Sequence, residues 1–249
     1  EASRFDLKVA IMTKTNPLKS NSSMASGGIN ASLSTMEEDN IWNHIEDTYK
    51  GGAELGDRSA IEILCKEAPN EIKELSEFGV DFDKLDNGNI IQRSFGGAGK
   101  KRTCYIQDKT GATIVQALMR HTRRDNITWL KDFQLINLLH NGGIIGGVSA
   151  LNKANSTVSV FVAKSVILAT GGYAGIYKGY TTNPIDNCGE ALSAAHRAGL
   201  RLSNTEFIQF HPTGLKKSGA LVSEAARGEG GYLVNNKGER FVDELTTRD

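Results

Sequence analysis

Seven Gly-Gly pairs punctuate the chain: Gly27-Gly28, Gly51-Gly52, Gly96-Gly97, Gly142-Gly143, Gly146-Gly147, Gly171-Gly172 and Gly230-Gly231. They hold fourteen of the 27 glycines in 249 residues. Glycine weakens helices and strands, but it permits positive φ and close approach of backbone to a ligand. A chain cut at these points folds as short regular segments joined by tight loops, and several such loops can converge on something bulky. Any one pair read alone is only a turn. Proline is scarce, at 4 residues, so the glycines do not form a disordered Pro/Gly tract.

The segments between the pairs alternate in period. Lys8 to Lys14 reads as a buried strand, and Trp42 to Tyr49 as a short helix. Across Ser59 to Phe78, Ile61, Leu64, Ala68, Ile72 and Leu75 recur at helical spacing, with a Ser59/Glu62 capping box. Pro69 conflicts with that helix and predicts a kink or a second start. Asp86 to Asn89 marks a tight turn, and Thr110 to Arg124 is a second helical stretch. Strand-like runs at Ile127–Leu139, Ile144–Leu151 and Thr157–Val162, with short connections, predict an antiparallel meander. Gly142-Gly143 and Gly146-Gly147 fit its turns. Ser165 to Thr170 reads as a buried strand ending in a ligand loop, and Asn187 to Ala198 as a helix. Alternating helices and buried strands with an inserted meander predict an α/β nucleotide-binding domain. The usual G-x-G-x-x-G turn after the first strand is absent.

Charge and composition narrow the function. Twenty-nine basic residues balance 29 acidic ones, so no global electrostatic footprint for nucleic acid exists. Lys100-Lys101-Arg102 and Arg120 to Arg124 read as solvated basic clusters. His44, His121, His140 and His196 have no partner pattern and read as surface or core residues. No apolar stretch reaches the length of a membrane span. Cys65, Cys104 and Cys188 are odd in number and far apart, which is neither a disulfide framework nor a metal-ligand spacing. No metal site is expected. A reducing compartment suits them, so the expected location is cytoplasmic, with periplasmic or partner-mediated membrane association as alternatives.

The chemistry-bearing types crowd near the end. His211 stands in Phe207 to Gly214, followed by Ser223-Glu224-Ala225-Ala226-Arg227-Gly228-Glu229-Gly230-Gly231 and by Thr247-Arg248-Asp249. A histidine, a hydroxyl, a carboxylate and two arginines among glycines suit a small dicarboxylate, because the guanidinium fork grips carboxylates bidentately. Surface ion pairs and a satisfied histidine explain the same spacing equally well.

The order of motifs adds to this. Ser20 to Gly28 (SNSSMASGG), Ser94-Phe95-Gly96-Gly97, Asp108-Lys109-Thr110-Gly111, Ala169-Thr170-Gly171-Gly172, Thr182-Asn183-Pro184, Gln209 to Gly214, Ser223 to Gly231 and Thr247-Arg248-Asp249 follow one another. Together they resemble the flavoprotein family of fumarate reductases, succinate dehydrogenases and L-aspartate oxidases. The resemblance implies an α/β fold: a Rossmann-like FAD-binding domain with an inserted antiparallel β-meander over 1–205, then the start of an α+β capping domain over 206–249. It also implies a fragment lacking both ends, including the N-terminal dinucleotide turn.

Position by position, the resemblance places the substrate histidine on His211 and the substrate hydroxyl on Ser223. It makes Glu224 and Arg227 members of a proton relay and Arg248 the proton donor. Phe95 and Gly96 would face substrate. FAD would be contacted by Ser20, Asn21, Ser22, Ser23, Gly27, Gly28, Ala169, Thr170, Gly171, Gly172, Asn183 and Glu190. Members that attach FAD covalently carry a histidine where this chain has Asn21, which implies non-covalent FAD. L-aspartate oxidases resemble Arg-Glu-Gly-Gly where Ser94-Phe95-Gly96-Gly97 stands, and Phe95 cannot pair with an ammonium. An unpaired buried ammonium is costly, so a dicarboxylate without an amine fits better. The expected activity is reduction of fumarate to succinate; the alternative is L-aspartate oxidase, and a flavin-binding fragment without turnover is the non-enzymatic one. The expected partners are a small dicarboxylate and an electron-donor subunit or domain (iron–sulfur, haem or quinone-linked).

Overall fold

The computed structural model describes residues 2–95, 98–123, 126–228 and 230–241. In chain order its elements are β1 (Val9–Thr13), α1 (Asn21–Met24), β2 (Ile29–Asn30), α2 (Ile41–Gly51), α3 (Arg58–Glu77), β3 (Gln92–Arg93), β4 (Thr103–Cys104), α4 (Thr110–His121), β5 (Ile127–Lys131), β6 (Phe133–Asn141), β7 (Ile144–Asn152), β8 (Thr157–Val162), α5 (Glu190–Arg197) and α6 (Ala225–Gly228). They form two compact units, Glu1–Asn21 with Met119–Leu221, and Ser22–Leu118 with Val222–Asp249. Parallel and antiparallel sheets occur together with helices in a mixed α/β fold.

In the first unit, β1 pairs in parallel with β5 from Val9↔Ile127 to Thr13↔Lys131. The meander is present in the order β6-β7-β8, antiparallel throughout. Gly142 and Gly143, at φ 56° and 86°, form its first turn. Positive φ at both central residues is the type I′ geometry whose twist matches the flanking strands. Gly146-Gly147 is not a turn. It lies inside β7, where a Cβ on Gly147 would stand 2.1 Å from the Phe161 carbonyl of β8. The expected single run from Ile127 to Leu139 is two strands, because Asp132 takes φ 63° between them. β5 then pairs with β1, while β6 joins the meander. Helix α5 lies against β6, and Leu138, Val148 and Ala195 form the core with Met12, Leu135 and Phe161 packed on it.

Ser165 to Thr170 is not a buried strand. Among the described residues no strand pairs with it, and Ile167 is 85% exposed. An apolar β-branched run supplies the propensity for a strand, but the ladder needs a neighbour.

The second unit joins a small antiparallel sheet, β2-β4-β3, to helices α2, α3 and α4. Its core is Ala31, Ala68, Ile72, Val80, Phe82, Cys104 and Ala117. Helix α3 starts one residue before the expected capping box. Asp57 is its N-cap, and its carboxylate accepts from Ser59 N at 2.9 Å and Ala60 N at 3.4 Å. Its inner stripe runs through Cys65, Ala68 and Ile72, while Leu64 is 63% exposed. Pro69 starts no second helix; α3 runs through it, with Ala68 and Ile72 buried on either side. The last turn of α4 ends at His121.

Arg102 corrects the solvated-cluster reading. It is 1% exposed, with its guanidinium on both oxygens of Asp39 at 3.0 Å and on Asp47 at 2.6 Å. Burial pushes Asp39 up, but the Arg102 fork and the Asn40 amide outweigh it and hold the carboxyl below the usual range. His44 is buried as well, with its Nδ1 unpartnered. Desolvation and the nearby Arg102 charge keep its imidazole below the ordinary value.

Candidate active site

The first unit carries the expected flavin segment 169–172, and all four residues are exposed. Gly171 takes φ 72°, where an added Cβ would meet the Asn187 side chain at 3.4 Å, and a Cβ on Gly172 would meet open space. Among the described residues, no hydrogen bond engages the N–H groups of Thr170, Gly171 or Gly172. A row of open N–H groups on glycine backbone fits the phosphates or ring edge of a bulky anionic cofactor. The residues present therefore fit FAD.

The neighbouring loop is tied to it by packing. Gly175 N donates to Asn187 O at 2.9 Å, and a Cβ on Gly189 would stand 2.6 Å from Tyr173 Cβ. Gly189, at φ 75°, leads into α5, whose first residue is Glu190. The Glu190 carboxylate accepts from Lys14 at the end of β1. Burial pushes this carboxyl up, but the Lys14 hydrogen bond and charge together with backbone hydrogen bonds at Glu190 and Cys188 outweigh it, and the net direction is down. Cys188 is half-buried just ahead of α5 and donates to Ile185 O at 2.7 Å.

Asn21 donates its side-chain amide to Asn183, and Asn183 N donates to Thr181 Oγ1 at 3.0 Å. Asn183 and His211 line one cleft with Tyr180, Thr181 and Gln209. Its volume of about 20 Å³ is room for one water. His211 Nδ1 lies 2.9 Å from the Thr213 carbonyl. Thr213 N also donates to this nitrogen, at 3.3 Å, so the ring is anchored to Thr213 through Nδ1 and Nε2 is its second polar atom. Ser20 caps a 3-10 turn at Pro17–Lys19, donating its N–H to Pro17 O at 3.1 Å.

The second unit carries the loop 22–28. Ser22 O accepts from Ala25 N, Ala25 O accepts from Gly111 N at 2.8 Å, and Ser23 sits within α1. The Phe95 ring rests on Gly27, where a Cβ would stand 2.7 Å from Cζ. Gly28, at φ 125°, has the Cys104 carbonyl where a Cβ would be, at 2.5 Å.

Ser223, Glu224 and Arg227 gather around α6. Ser223 Oγ accepts from Ala225 N at 3.2 Å, and Arg227 pairs with Glu224 at 3.5 Å on a half-exposed surface. Gly230 N donates to Arg227 O and Gly231 N to Ala226 O, a Schellman cap that explains the glycine pair. Gly96 and Arg248 lie outside the described residues.

The structure also shows residues that the sequence reading left out. Lys14 holds Glu190, and Arg93 donates to the carbonyls of Gly27 at 2.7 Å and Ser26 at 3.3 Å. Their only signal was a lone cation at the end of a strand.

Residues 1–249 match the FAD binding domain family. The succinate dehydrogenase flavoprotein subunit of Rickettsia felis is 42% identical over 246 residues, which cover 95% of this chain and 41% of that protein. A fumarate reductase (CoM/CoB) subunit from Methanothermobacter marburgensis is 38% identical, covering 100% of this chain and 48% of its own. A chain of E. coli quinol fumarate reductase superposes with a TM-score of 0.90 at 30% identity, over 97% of this chain and 41% of that one. The chain thus spans less than half the length of these relatives. With a match over its whole length and flavoprotein relatives on both counts, the chain belongs to the FAD binding domain family.

Proposed function

We propose that this chain is the FAD-binding part of an oxidoreductase acting on a C4 dicarboxylate, reducing fumarate to succinate. The observation that supports this reading best is the likeness, over 97% of the chain, to a chain of quinol fumarate reductase. When bound, FAD would supply the hydride at its N5. The chain's own residues do the rest. His211, with Nδ1 held at Thr213, offers Nε2 to a substrate carboxylate, and Ser223 offers a hydroxyl. Glu224 and Arg227, already paired, pass a proton toward Arg248, which donates it to the carbon next to the one receiving hydride. Fumarate plus hydride plus proton gives succinate, so the step balances.

Residues 1–205 form the FAD-binding part of this proposal, and residues 206–249 begin a capping domain. Asn21 presents an amide engaged with Asn183 rather than a nucleophilic ring nitrogen, so FAD is held without a covalent bond. Electrons arrive from a partner subunit or domain. Among the described residues no helix is long and apolar enough to cross a membrane. The test uses the full natural chain that contains this sequence: reduced dye should be oxidised on addition of fumarate. Bound FAD with no fumarate response refutes the substrate assignment, and peroxide formed from aspartate would install the alternative.

A further inference from the structure

The loop 22–28 has an asymmetry in its hydrogen bonding. Four of its carbonyls are taken by protein donors: Ser22 O by Ala25 N, Ala25 O by Gly111 N, and Ser26 O and Gly27 O by the Arg93 guanidinium. Among the described residues, by contrast, nothing accepts from the N–H groups of Ser26, Gly27 and Gly28. The loop is therefore a surface of donors.

Arg93 is built into its place. Its guanidinium lies over the Tyr105 ring at 4.1 Å. The segment it begins also supplies Phe95, whose ring fills the space where Gly27 lacks a side chain. Each carbonyl that Arg93 holds shares a peptide unit with the next N–H: Ser26 C=O with Gly27 N–H, and Gly27 C=O with Gly28 N–H. A cationic donor on the carbonyl polarises that peptide and strengthens its N–H as a donor.

We propose that Arg93 is a positioning residue of the flavin site, which turns loop 26–28 into a polarised donor face for the electron-rich edge of the flavin. The inference rests on the flavin reading above. A donor face of this kind favours the reduced, more electron-rich flavin, so Arg93 raises the flavin's reduction potential as well as its affinity.

The test is made on the full natural chain, with R93M and R93K, by FAD titration of the apoprotein and by measuring the midpoint potential of bound flavin. R93M should weaken FAD about tenfold, as expected for losing charge-assisted hydrogen bonds. Its potential should shift to more negative values. R93K keeps the charge but loses the fork and the ring stack, so it should shift both quantities less, in the same direction. A lower melting temperature with unchanged potential and affinity in R93M would overturn the inference, because a purely structural role predicts that pattern. Should R93M fail to fold, a folded R93K that matches wild type in both readouts overturns it equally. A wild-type chain that takes up no FAD overturns the flavin reading, and this inference with it.

Discussion

Arg102→Leu tests whether the second unit is held by a buried ion cluster. In the structure the side chains of Arg102 and Asp39 are 1% and 2% exposed, whereas Asp47 is 27% exposed. Removing the guanidinium leaves Asp47 able to hydrate, but it strips Asp39 of two hydrogen bonds in a place water does not reach. The loss is therefore dominated by one uncompensated buried carboxylate, about 3–5 kcal/mol. For a chain of this size that lowers the melting temperature by about 6–20 °C. The backbone of Arg102 also accepts from Ala31 N and from Gln92 Nε2, so loosening it slackens β4 beside Gly28. FAD should be released before global unfolding. The effect has a pH signature. In wild type, Asp39 is depressed, so its stabilisation is present above the unfolded carboxyl value and lost as pH falls from there through the lower folded value. In the variant burial is opposed only by the Asn40 and Ser32 hydrogen bonds and no longer by the Arg102 fork and charge, so the folded carboxyl rises and protonation relieves the penalty. Thermal melts of both proteins between about pH 4 and 7 should show the gap narrowing as pH falls. A gap below about 1 kcal/mol, the size of an exposed pair, or one independent of pH, would refute the reasoning.

Three further outcomes follow from single contacts. His44 is held neutral in the fold, so the unfolded chain binds its proton more readily and stability falls as pH drops below the ordinary imidazole value of 6.5. His44→Gln should flatten that part of the curve in denaturant titrations. Gly231→Ala would put a Cβ 2.5 Å from the Ala226 carbonyl and open the cap of α6. A local loss of about 1–3 kcal/mol should raise KM for fumarate with FAD content unchanged. Cys104, buried and pushed up to about 12, and buried Cys65 should resist thiol reagents at neutral pH, leaving half-buried Cys188 to react first, as peptide mass mapping would show.

Much of this architecture could be read from local chemistry. Gly142-Gly143 between two apolar runs specified a hairpin, and the meander followed from short connections. Interactions between distant segments could not be read that way. Arg102 looked like one of three solvated cations because Asp39 and Asp47 lie far from it in sequence. Leu64 was placed on the inner stripe of α3 by period alone, but Cys65, at the equally helical spacing of three before Ala68, occupies it instead. Ser165 to Thr170 had strand propensity without a described partner. At the candidate site, the motifs located the loops but not their clamps: Phe95 seats Gly27, and Lys14 and Arg93 hold the segments proposed to bind flavin through backbone and carboxylate contacts that no motif records.

The central claim is tested most directly by purifying the full natural chain with its flavin, reducing it anaerobically and adding fumarate while following the flavin absorbance. Reoxidation that forms one succinate per flavin is predicted, and it should be abolished in Arg248→Ala while FAD stays bound. Flavin that remains reduced in the presence of fumarate, or reoxidation unaffected by Arg248→Ala, would contradict the account.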